Sequence, residues 1–325
     1  MSKNRDVGPV LVTGGAGYVG REVVALLLAE TDGHIIVVDN FSKGRIENIG
    51  TLPGAEGRLT ILHADIRDEE VINNILTRYK PRAVLHLAAI VDAFATNRKG
   101  KDEECMEVNY RAALSLAKQA KASGVKIFIY QSTVSLYSRG EEIREDGEQK
   151  PLSTYGISKA LAEKEILALN DTSFLTAALR PATVVGFNTG FRYETIFNQA
   201  CIKAVYGIPL VFFESALEGK KTYLSVHDNA QALLFSIRHI EQIKGKAFNV
   251  TSFHASLKEL SLLIKKYHGA FTYEVIKEGH INQQVYTINS DALKALGFIP
   301  KGTAEMVVRD TVASLKKEKE FLTYL

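Results

Sequence analysis

A tyrosine and a lysine four residues apart form the pair in this sequence that is best suited to proton transfer. Tyr155 and Lys159 lie in the segment YGISK, and a spacing of four places both side chains on one face of a helix. An unperturbed tyrosine has a pKa of about 10, but a nearby ammonium favours the phenolate and lowers that pKa. We therefore expect the pair to remove a proton from an alcohol as hydride leaves for a nicotinamide cofactor.

Hydroxyl side chains precede this pair, at the end of a predicted strand over residues 126–130. The strand runs into a segment that contains Ser132, Thr133 and Ser135. Such a strand end faces the crevice in which open α/β sheets bind ligands. We interpret Thr133 as the third catalytic residue, with Ser132 and Ser135 as alternatives.

A glycine-rich loop near the N-terminus is suited to holding a dinucleotide. Gly14, Gly17 and Gly20 recur at intervals of three, directly after a predicted strand and at the start of a predicted helix. Such glycines allow a tight turn, a close approach of backbone to pyrophosphate, and close helix-to-strand packing, while the helix N-terminus attracts the phosphates. The second predicted strand ends at Asp39, where a carboxylate accepts hydrogen bonds from the adenosine ribose and repels a 2′-phosphate. NAD is therefore favoured over NADP.

Three further residues near the strand ends are interpreted from their position. Asp65, at the end of the third predicted strand, could accept a hydrogen bond from the adenine amino group. His86, in the fourth strand, is interpreted as a packed residue rather than a catalyst. Lys43, close to Asp39, leaves NADP open as an alternative.

The predicted elements place these groups at one edge of a parallel sheet. Short, continuously apolar runs predict strands that are covered on both faces, over residues 10–12, 35–38, 59–62, 83–87, 126–130 and 176–179. The intervening segments predict helices over residues 19–30, 69–79, 104–123 and 154–169. This alternation indicates a doubly wound α/β fold with a parallel sheet. Less regular elements follow (helices over 229–239 and 257–267, a strand over 247–250), and we expect them to form a smaller C-terminal lobe over the strand ends.

Composition excludes several classes of protein. The chain has 325 residues, and its formal net charge of +3 gives no argument for a nucleic-acid partner. Cys105 and Cys201 are isolated, so we expect neither a disulfide nor a metal site, and a reducing compartment. No apolar run approaches the roughly 20 residues of a membrane span. The N-terminal apolar run is a strand rather than a signal peptide, so the expected location is cytoplasmic.

Taken together, the motifs make this sequence similar to the extended short-chain dehydrogenase/reductases, in the nucleotide-sugar epimerase and dehydratase group. The resemblance rests on these segments, in chain order: TGGAGYVG (13–20), DNFSKG (39–44), HADIRD (63–68), HLAA (86–89), Asn109, STVSLY (132–137), YGISK (155–159), YLSVHDNA (223–230) and FNVTS (248–252). It implies an NAD-binding Rossmann domain over residues 1–185 and a mainly substrate-binding lobe over 186–325, with some segments returning to the first domain. It also implies tightly held NAD and a homodimer built on the helices over 104–123 and 154–169.

The same resemblance assigns site residues. The catalytic residues are Thr133, Tyr155 and Lys159. The cofactor-binding residues are Gly14, Gly17, Tyr18, Val19, Gly20, Asp39, Asn40, Phe41, Ser42, Gly44, Asp65, Ile66, Leu87, Ala88, Ala89, Asn109, Ser132, Tyr155, Lys159 and Pro181. The expected substrate-binding residues are Thr133, Ser135, Thr183 and Lys221, and Arg192 is a further candidate for binding phosphate.

The residues after Thr133 bear on the reaction. Dehydratases and decarboxylases of this group resemble each other in having acidic residues there, whereas this chain has Val134 and Ser135. The segment DNFSKGRIENI is most similar to UDP-hexose 4-epimerases. We therefore expect an NAD-dependent 4-epimerase of a nucleotide-diphosphate sugar, with a transient keto-sugar, Tyr155 as acid and base, and NAD as hydride carrier. The alternatives are a net NAD(P)-dependent reductase or dehydrogenase on a sugar nucleotide or a less polar alcohol, a 4,6-dehydratase, and a non-catalytic NAD sensor.

The chain departs from the epimerase pattern on the substrate side. Thr183 stands where epimerases usually have asparagine, and Lys221 stands at the expected position of a phosphate-binding arginine. A lysine can still pair with phosphate, although as a point charge rather than a bidentate fork. The segment after Ile90 also differs, and its polar residues, which include Asp92, Arg98, Lys99 and Lys101, are interpreted either as a solvated loop or as part of the site.

Overall fold

The structure is a computed structural model that describes residues 6–91, 101–138, 140–269, 271–277 and 286–318. Its strands are β1 (Val10–Thr13), β2 (Ile35–Asp39), β3 (Leu59–His63), β4 (Ala83–His86), β5 (Ile127–Gln131), β6 (Leu175–Pro181), β7 (Thr183–Val185), β8 (Leu210–Phe213), β9 (Lys221–Ser225), β10 (Ala247–Val250), β11 (Phe253–Ala255) and β12 (Tyr273–Ile276). Its α-helices are α1 (Tyr18–Glu30), α2 (Glu47–Gly50), α3 (Glu69–Tyr79), α4 (Lys101–Met106), α5 (Ala113–Ala122), α6 (Thr154–Ala168), α7 (Ile196–Val205), α8 (Glu214–Leu217), α9 (Val226–Arg238), α10 (Ile240–Ile243), α11 (Leu257–His268), α12 (Asp291–Ala295) and α13 (Ala304–Leu315).

Seven strands form one parallel sheet, as the sequence predicts. Their order is β10-β6-β5-β4-β1-β2-β3, and every neighbouring pair is parallel. Every residue of β1, β2, β4 and β5 is buried, because helices cover both faces of the sheet. This explains why these strands are continuously apolar instead of alternating. The chain order reverses between β1 and β4, which is where open α/β sheets bind their ligands.

The alternating side chains of the strands divide the core into two layers. On one face, residues such as Leu11 and Val84 pack with residues of α3, α5 and α6. On the other face, residues such as Val12 and Leu85 pack with residues of α1 and α9. The catalytic helix proposed from the sequence, α6, therefore lies on the same face of the sheet as α5.

The second half of the chain contributes both to this sheet and to a smaller lobe. Strand β10 pairs with β6 at the edge of the main sheet. Strands β11, β9 and β7 form a three-stranded sheet, and β12 and β8 form a parallel pair. Residues of α7, α11 and α13 share one apolar core with these strands. The division of the chain at residues 185 and 186 stays a prediction.

The long helix predicted over residues 104–123 is interrupted. Residues Glu107–Ala112 form a π-helical segment between α4 and α5. Asn109 lies in it, and its side chain bonds both backbone groups of Ile90, with Oδ1 accepting from the amide at 2.8 Å and Nδ2 donating to the carbonyl at 2.9 Å. Such widened turns are frequent at functional sites, and apolar periodicity does not reveal them.

Within the described part of the chain, no helix is long and apolar enough to cross a membrane.

Candidate active site

Two glycines of the N-terminal loop are required by the fold of the protein itself. Gly14 has a φ of +70°, and a Cβ there would lie 2.8 Å from the backbone nitrogen of Ala88. A Cβ on Gly20 would lie 2.1 Å from the carbonyl oxygen of Gly14. The turn and the close packing of α1 against β1 therefore exclude larger residues at both positions.

Gly17 differs, because the protein has no packing reason for a glycine at that position. Its φ of −77° is open to any residue, and a Cβ there would meet only the Gly14 carbonyl oxygen, at 3.4 Å. Gly17 is the N-cap residue of α1, no side chain caps this helix end, and its first turn carries no acidic residue. The backbone N–H groups of this turn are thus presented to an anion. This arrangement fits the diphosphate of a dinucleotide.

Two acidic residues, one at the end of β2 and one just after β3, are held by backbone and side-chain hydrogen bonds. Asp39 Oδ2 accepts from the backbone N–H of Ala16 at 2.9 Å, and its Oδ1 accepts from that of Phe41 at 2.8 Å. Asn40 Nδ2 donates to Asp65 Oδ2 at 2.9 Å. Side-chain hydrogen bonds from Arg67 hold the pKa of Asp65 well below its usual range. Each carboxylate oxygen keeps acceptor capacity, and the predicted contacts with ribose and adenine stay predictions.

The other predicted cofactor residues lie along the same edge of the sheet. They occur in the segments that follow strands β1 to β4 or at the end of β6, and they are Tyr18, Val19, Ser42, Gly44, Ile66, Leu87, Ala88, Ala89 and Pro181. Ser132 follows β5, and its hydroxyl is buried without a hydrogen-bond partner among the described residues. A buried hydroxyl without a partner at this edge fits a bound ligand.

Asn109 is buried in the π-helical segment and makes several contacts within the protein. Besides its bonds to Ile90, its Nδ2 lies 3.2 Å from Cys105 Sγ and 3.4 Å from Ser158 Oγ. The side chain therefore links the end of β4 to the start of α6. Its predicted contact with the cofactor stays a prediction.

The three predicted catalytic residues are brought together where β5 ends and α6 begins. Ser153 caps α6 by accepting a hydrogen bond from the backbone N–H of Gly156 at 3.1 Å, and this fixes the first turn, which contains Tyr155. Lys159 follows one turn later and is buried. Thr133 Oγ1 accepts from the backbone N–H of Ser135 at 3.1 Å, so its hydroxyl hydrogen is free for the phenol oxygen of Tyr155.

The pKa values of Tyr155 and Lys159 are shifted by burial, in contrast to what their spacing alone suggests. Burial raises the pKa of Tyr155, and the hydrogen bond with Thr133 and the positive charge of Arg192 act in the opposite direction. Burial lowers the pKa of Lys159 to about 7, against the influence of Glu163. The expectation that Lys159 lowers the pKa of Tyr155 therefore needs correction. Lys159 is so buried that its own charge is disfavoured, and the opposing effects at Tyr155 come from Thr133 and Arg192.

Two of the predicted substrate residues meet on the smaller lobe, next to a tyrosine that the sequence motifs do not include. Tyr286 forms a bridge with Lys221, whose Nζ lies 5.7 Å from the centre of its ring. Burial raises the pKa of Tyr286, a hydrogen bond with Thr183 acts in the opposite direction, and the nearby phenol of Tyr155 adds to the rise. Tyr286 therefore lies near Thr183, Lys221 and the predicted catalytic residue Tyr155.

Ser135 and Arg192 complete the predicted substrate residues. Ser135 is exposed beside Thr133. The guanidinium of Arg192 is close enough to influence both Tyr155 and Tyr18. The structure therefore brings Arg192 close to Tyr155, and its role in substrate binding stays a prediction. Asp92, Arg98 and Lys99 lie outside the described residues, as does the side chain of Lys101.

The sequence also did not predict a buried ion pair between β6 and α6, the helix that contains Tyr155 and Lys159. The guanidinium of Arg180, in β6, donates to both carboxylate oxygens of Glu163, in α6, at 2.6 to 3.2 Å, and both residues are buried. Arg180 also donates to Tyr137 Oη at 2.5 Å and to the carbonyl oxygen of Glu145 at 2.8 Å. An arginine before a proline gives no sequence signal of such a partner.

Comparisons with known proteins agree with this arrangement. A model of the NAD dependent epimerase/dehydratase family matches residues 10–251. The chain is 28% identical to a UDP-glucose 4-epimerase of Rhizobium leguminosarum bv. trifolii, over 92% of this chain and 95% of the relative. It is 28% identical to UDP-arabinose 4-epimerase 1 of Arabidopsis thaliana, over 80% of this chain and 67% of the relative. The crystal structure of a UDP-glucose 4-epimerase from Thermotoga maritima with UDP-glucose superposes with a TM-score of 0.82 at 25% identity, over 95% of this chain and 99% of that one.

Proposed function

Because this chain belongs to the NAD dependent epimerase/dehydratase family, we propose that it is a 4-epimerase of UDP-sugars that works with bound NAD. Membership of the family confirms the resemblance and the cofactor predicted from the sequence motifs. The relatives named above are 4-epimerases of UDP-glucose or UDP-arabinose. These names support a UDP-sugar as the substrate.

The residues around Thr133 favour epimerisation over dehydration. Elimination of water needs a general acid at the reacting sugar, and the next two residues are the buried, apolar Val134 and the exposed Ser135, neither of which is acidic. The carboxylate of Glu163 in α6 is bound by Arg180. It is therefore occupied and cannot serve as that acid without breaking a buried ion pair.

The proposed reaction uses Tyr155 as both base and acid. Its phenolate takes the proton of the 4-hydroxyl as the C4 hydride departs, and its phenol returns the proton once hydride has reached the opposite face of the keto-sugar. Thr133 donates to the reacting oxygen, Lys159 holds the cofactor ribose, and the positive charge of Arg192 favours the phenolate. NAD, when bound on the loop of Gly14, Gly17 and Gly20, supplies the site that accepts and returns the hydride.

Lys221 supports an anionic substrate. Burial lowers its pKa to about 8, and none of the described acidic residues opposes that effect. Lys221 is half-buried, and an ammonium that is partly removed from water without a carboxylate partner is costly unless a ligand neutralises it. The diphosphate of a UDP-sugar would do so, with Thr183 and Tyr286 beside it.

A homodimer is part of the proposal. Ile157 and Leu161 are 43% and 38% exposed and lie four residues apart on one face of α6, and Leu152, just before the helix, is 73% exposed. Such a stripe of apolar side chains supports burial against another copy of the chain. Sedimentation of the purified protein would test it, and a stable monomer at micromolar concentration would refute it. The cytoplasmic location and the lack of a nucleic-acid partner stay predictions.

The test of the proposed activity is product analysis without added cofactor. Purified protein is incubated separately with UDP-glucose, UDP-galactose, UDP-arabinose and UDP-N-acetylglucosamine, and the products are separated by chromatography with mass detection. A new isomer of unchanged mass supports the proposal. A product that forms only when NAD(P)H is added would indicate the net reductase, and loss of water would indicate a dehydratase.

A further inference from the structure

The ammonium of Lys159 lies over an aromatic ring that the proposed mechanism does not use. Its Nζ is 4.2 Å from the centre of the Tyr130 ring, in β5. Tyr130 is fully buried, and its hydroxyl donates to the carbonyl oxygen of Asn109 at 3.3 Å. Among the described residues, no oxygen or nitrogen accepts a hydrogen bond from Lys159 Nζ, so the face of this ring is the favourable contact that the protein provides.

The Tyr130 ring also stacks with the imidazole of His86. The two rings are stacked, with centres 5.7 Å apart and planes inclined by 21°. Thr13 Oγ1 accepts from the backbone N–H groups of Leu87 and Ala88 and lies 2.7 Å from His86 Nδ1, so its hydroxyl hydrogen is assigned to this nitrogen. Burial and the charge of Lys159 lower the pKa of His86 to about 3. The imidazole is therefore neutral, and Lys159 is the cation that this ring faces.

From the contacts of Lys159, Tyr130 and His86 we propose that Tyr130 is a positioning residue, which keeps Lys159 charged and in place for the reaction. The negative face of an aromatic ring attracts a cation, and the attraction is strongest where water is excluded. Because the ring makes no hydrogen bond to Nζ, the ammonium protons remain available for the cofactor ribose and for Tyr155. The inference rests on the proposed role of Lys159 and adds a residue that none of the sequence motifs identifies.

Other groups around Lys159 do not replace the ring. Glu163, on the same helix, favours the ammonium, but Arg180 neutralises it. Cys105, on α4, is a thiol whose pKa burial raises, so it carries no charge at neutral pH. Tyr155, on α6, gains negative charge only as it loses its proton. The Tyr130 face is thus the partner of Lys159 that is present throughout, and within the described part of the chain no other cation lies over it.

The first experiment measures the titration of Lys159 directly, in the protein with NAD bound. The protein is labelled with lysine carrying ¹³C at Cε, and the Lys159 signal is identified by its loss in Lys159→Met. In Tyr130→Leu we expect the midpoint to fall by about one pH unit, a tenfold change in the proton-binding constant. In Tyr130→Phe, which keeps the aromatic face, the midpoint should stay within about 0.3 units of the wild type. Equal midpoints in Tyr130→Leu and the wild type, or an equal fall in Tyr130→Phe, would overturn the proposal.

Phe128→Leu is the matched control. Phe128 lies on the same strand, is equally buried and also contacts His86, with ring centres 6.0 Å apart, but no cation of the described residues lies over it. It should destabilise the protein without moving the Lys159 midpoint. An equal shift in this variant would show that any cavity in the layer has the same effect, and would also overturn the proposal.

A graded series of rings keeps the test decisive if Tyr130→Leu does not fold. Phenylalanine with zero, one, two or three fluorine atoms is placed at position 130, because fluorine weakens the negative face with little change in size. The Lys159 midpoint should fall steadily with each fluorine, and a flat series would refute the proposal. In epimerisation assays, the alkaline limb of kcat/KM should fall in parallel while the acid limb stays fixed. The NMR titration tests the contact between Tyr130 and Lys159 even if the chain proves not to be an epimerase.

Discussion

Replacing Glu163 by leucine should cost the protein much more stability than replacing an exposed carboxylate. Glu163 and Arg180 are joined by hydrogen bonds of 2.6 to 3.2 Å, and their side chains are 4% and 6% exposed. The change leaves the guanidinium buried without its counter-ion, and breaking such a pair costs about 3 to 5 kcal/mol. Since Glu163 also raises the pKa of Lys159, the variant should lose activity at a lower alkaline pH than the wild type.

The double variant Glu163→Leu with Arg180→Met separates a lost ion pair from lost packing. Apolar replacement of both partners removes the unpaired charge and is often close to neutral. Here Arg180 also donates to Tyr137 and to the Glu145 carbonyl, and each lost bond costs about 1 kcal/mol. The double variant should therefore lose about 2 kcal/mol, less than the single variant.

Urea unfolding followed by circular dichroism measures these differences, with an unchanged slope as evidence that the same transition is compared. Glu218→Leu is the control, because Glu218 pairs with Lys258 while their side chains are 68% and 54% exposed. It should cost no more than about 1 kcal/mol. A loss below about 1 kcal/mol for Glu163→Leu, or a double variant no better than the single one, would refute the reasoning.

Three further predictions concern the site and the pH dependence of stability. Tyr155→Phe should lower kcat for epimerisation by about 10²- to 10⁴-fold. The purified variant should keep its NAD, which is measured after heat denaturation releases it from the protein. Unchanged turnover would show that Tyr155 does not transfer the proton. Gly17→Ala should fold normally, since its Cβ would meet little of the protein, but it should lose NAD. Gly20→Ala should be destabilised by about 1 to 3 kcal/mol or more. Thermal melting and NAD content compare the two variants, and NAD retained in folded Gly17→Ala would contradict the proposed role of Gly17. Glu22 raises the pKa of His227 above its ordinary 6.5, and His227 helps to lower the pKa of Glu22 below its ordinary 4.5. The pair therefore stabilises the fold between about pH 4.5 and 6.5. The stabilisation decreases below that window as Glu22 takes up a proton, and above it as His227 loses one. The stability lost in His227→Ala should thus be larger at about pH 5.5 than at about pH 8.5, and equal losses would count against the ion pair.

The central sheet could be predicted from the sequence because most of its strands are covered on both faces. Runs such as Ile35–Asp39 and Ile127–Gln131 are buried along their whole length, and this burial makes them continuously apolar. The glycine loop was predictable for a related reason, since the turn at Gly14 and the packing at Gly20 admit no side chain.

The π-helical segment around Asn109 could not be predicted in the same way. One extra residue in a helical turn changes the apolar period too little to be seen in a single sequence. What holds the segment is the pair of hydrogen bonds between Asn109 and Ile90, which are nineteen residues apart in the chain.

The missed residues of the site share one cause, because each acts through a contact between distant parts of the chain. Tyr286 reaches Lys221 and Thr183 from a segment with no recognised motif, and Arg180 meets Glu163 across the space between sheet and helix. The electrostatic prediction for Tyr155 and Lys159 needed correction for a similar reason. Spacing places the two side chains on one face, but only the packing around them determines how strongly their charges are disfavoured.

The return of hydride to the carbon from which it came is the central claim, and an isotope label tests it most directly. UDP-glucose that carries deuterium at C4 is incubated with the purified protein in ordinary water without added NAD, and the product is analysed by NMR and mass spectrometry. We expect a 4-epimer that keeps its deuterium at C4. A 4-epimer that has lost the deuterium to solvent would contradict it, because the carbon would then have been deprotonated rather than oxidised and reduced.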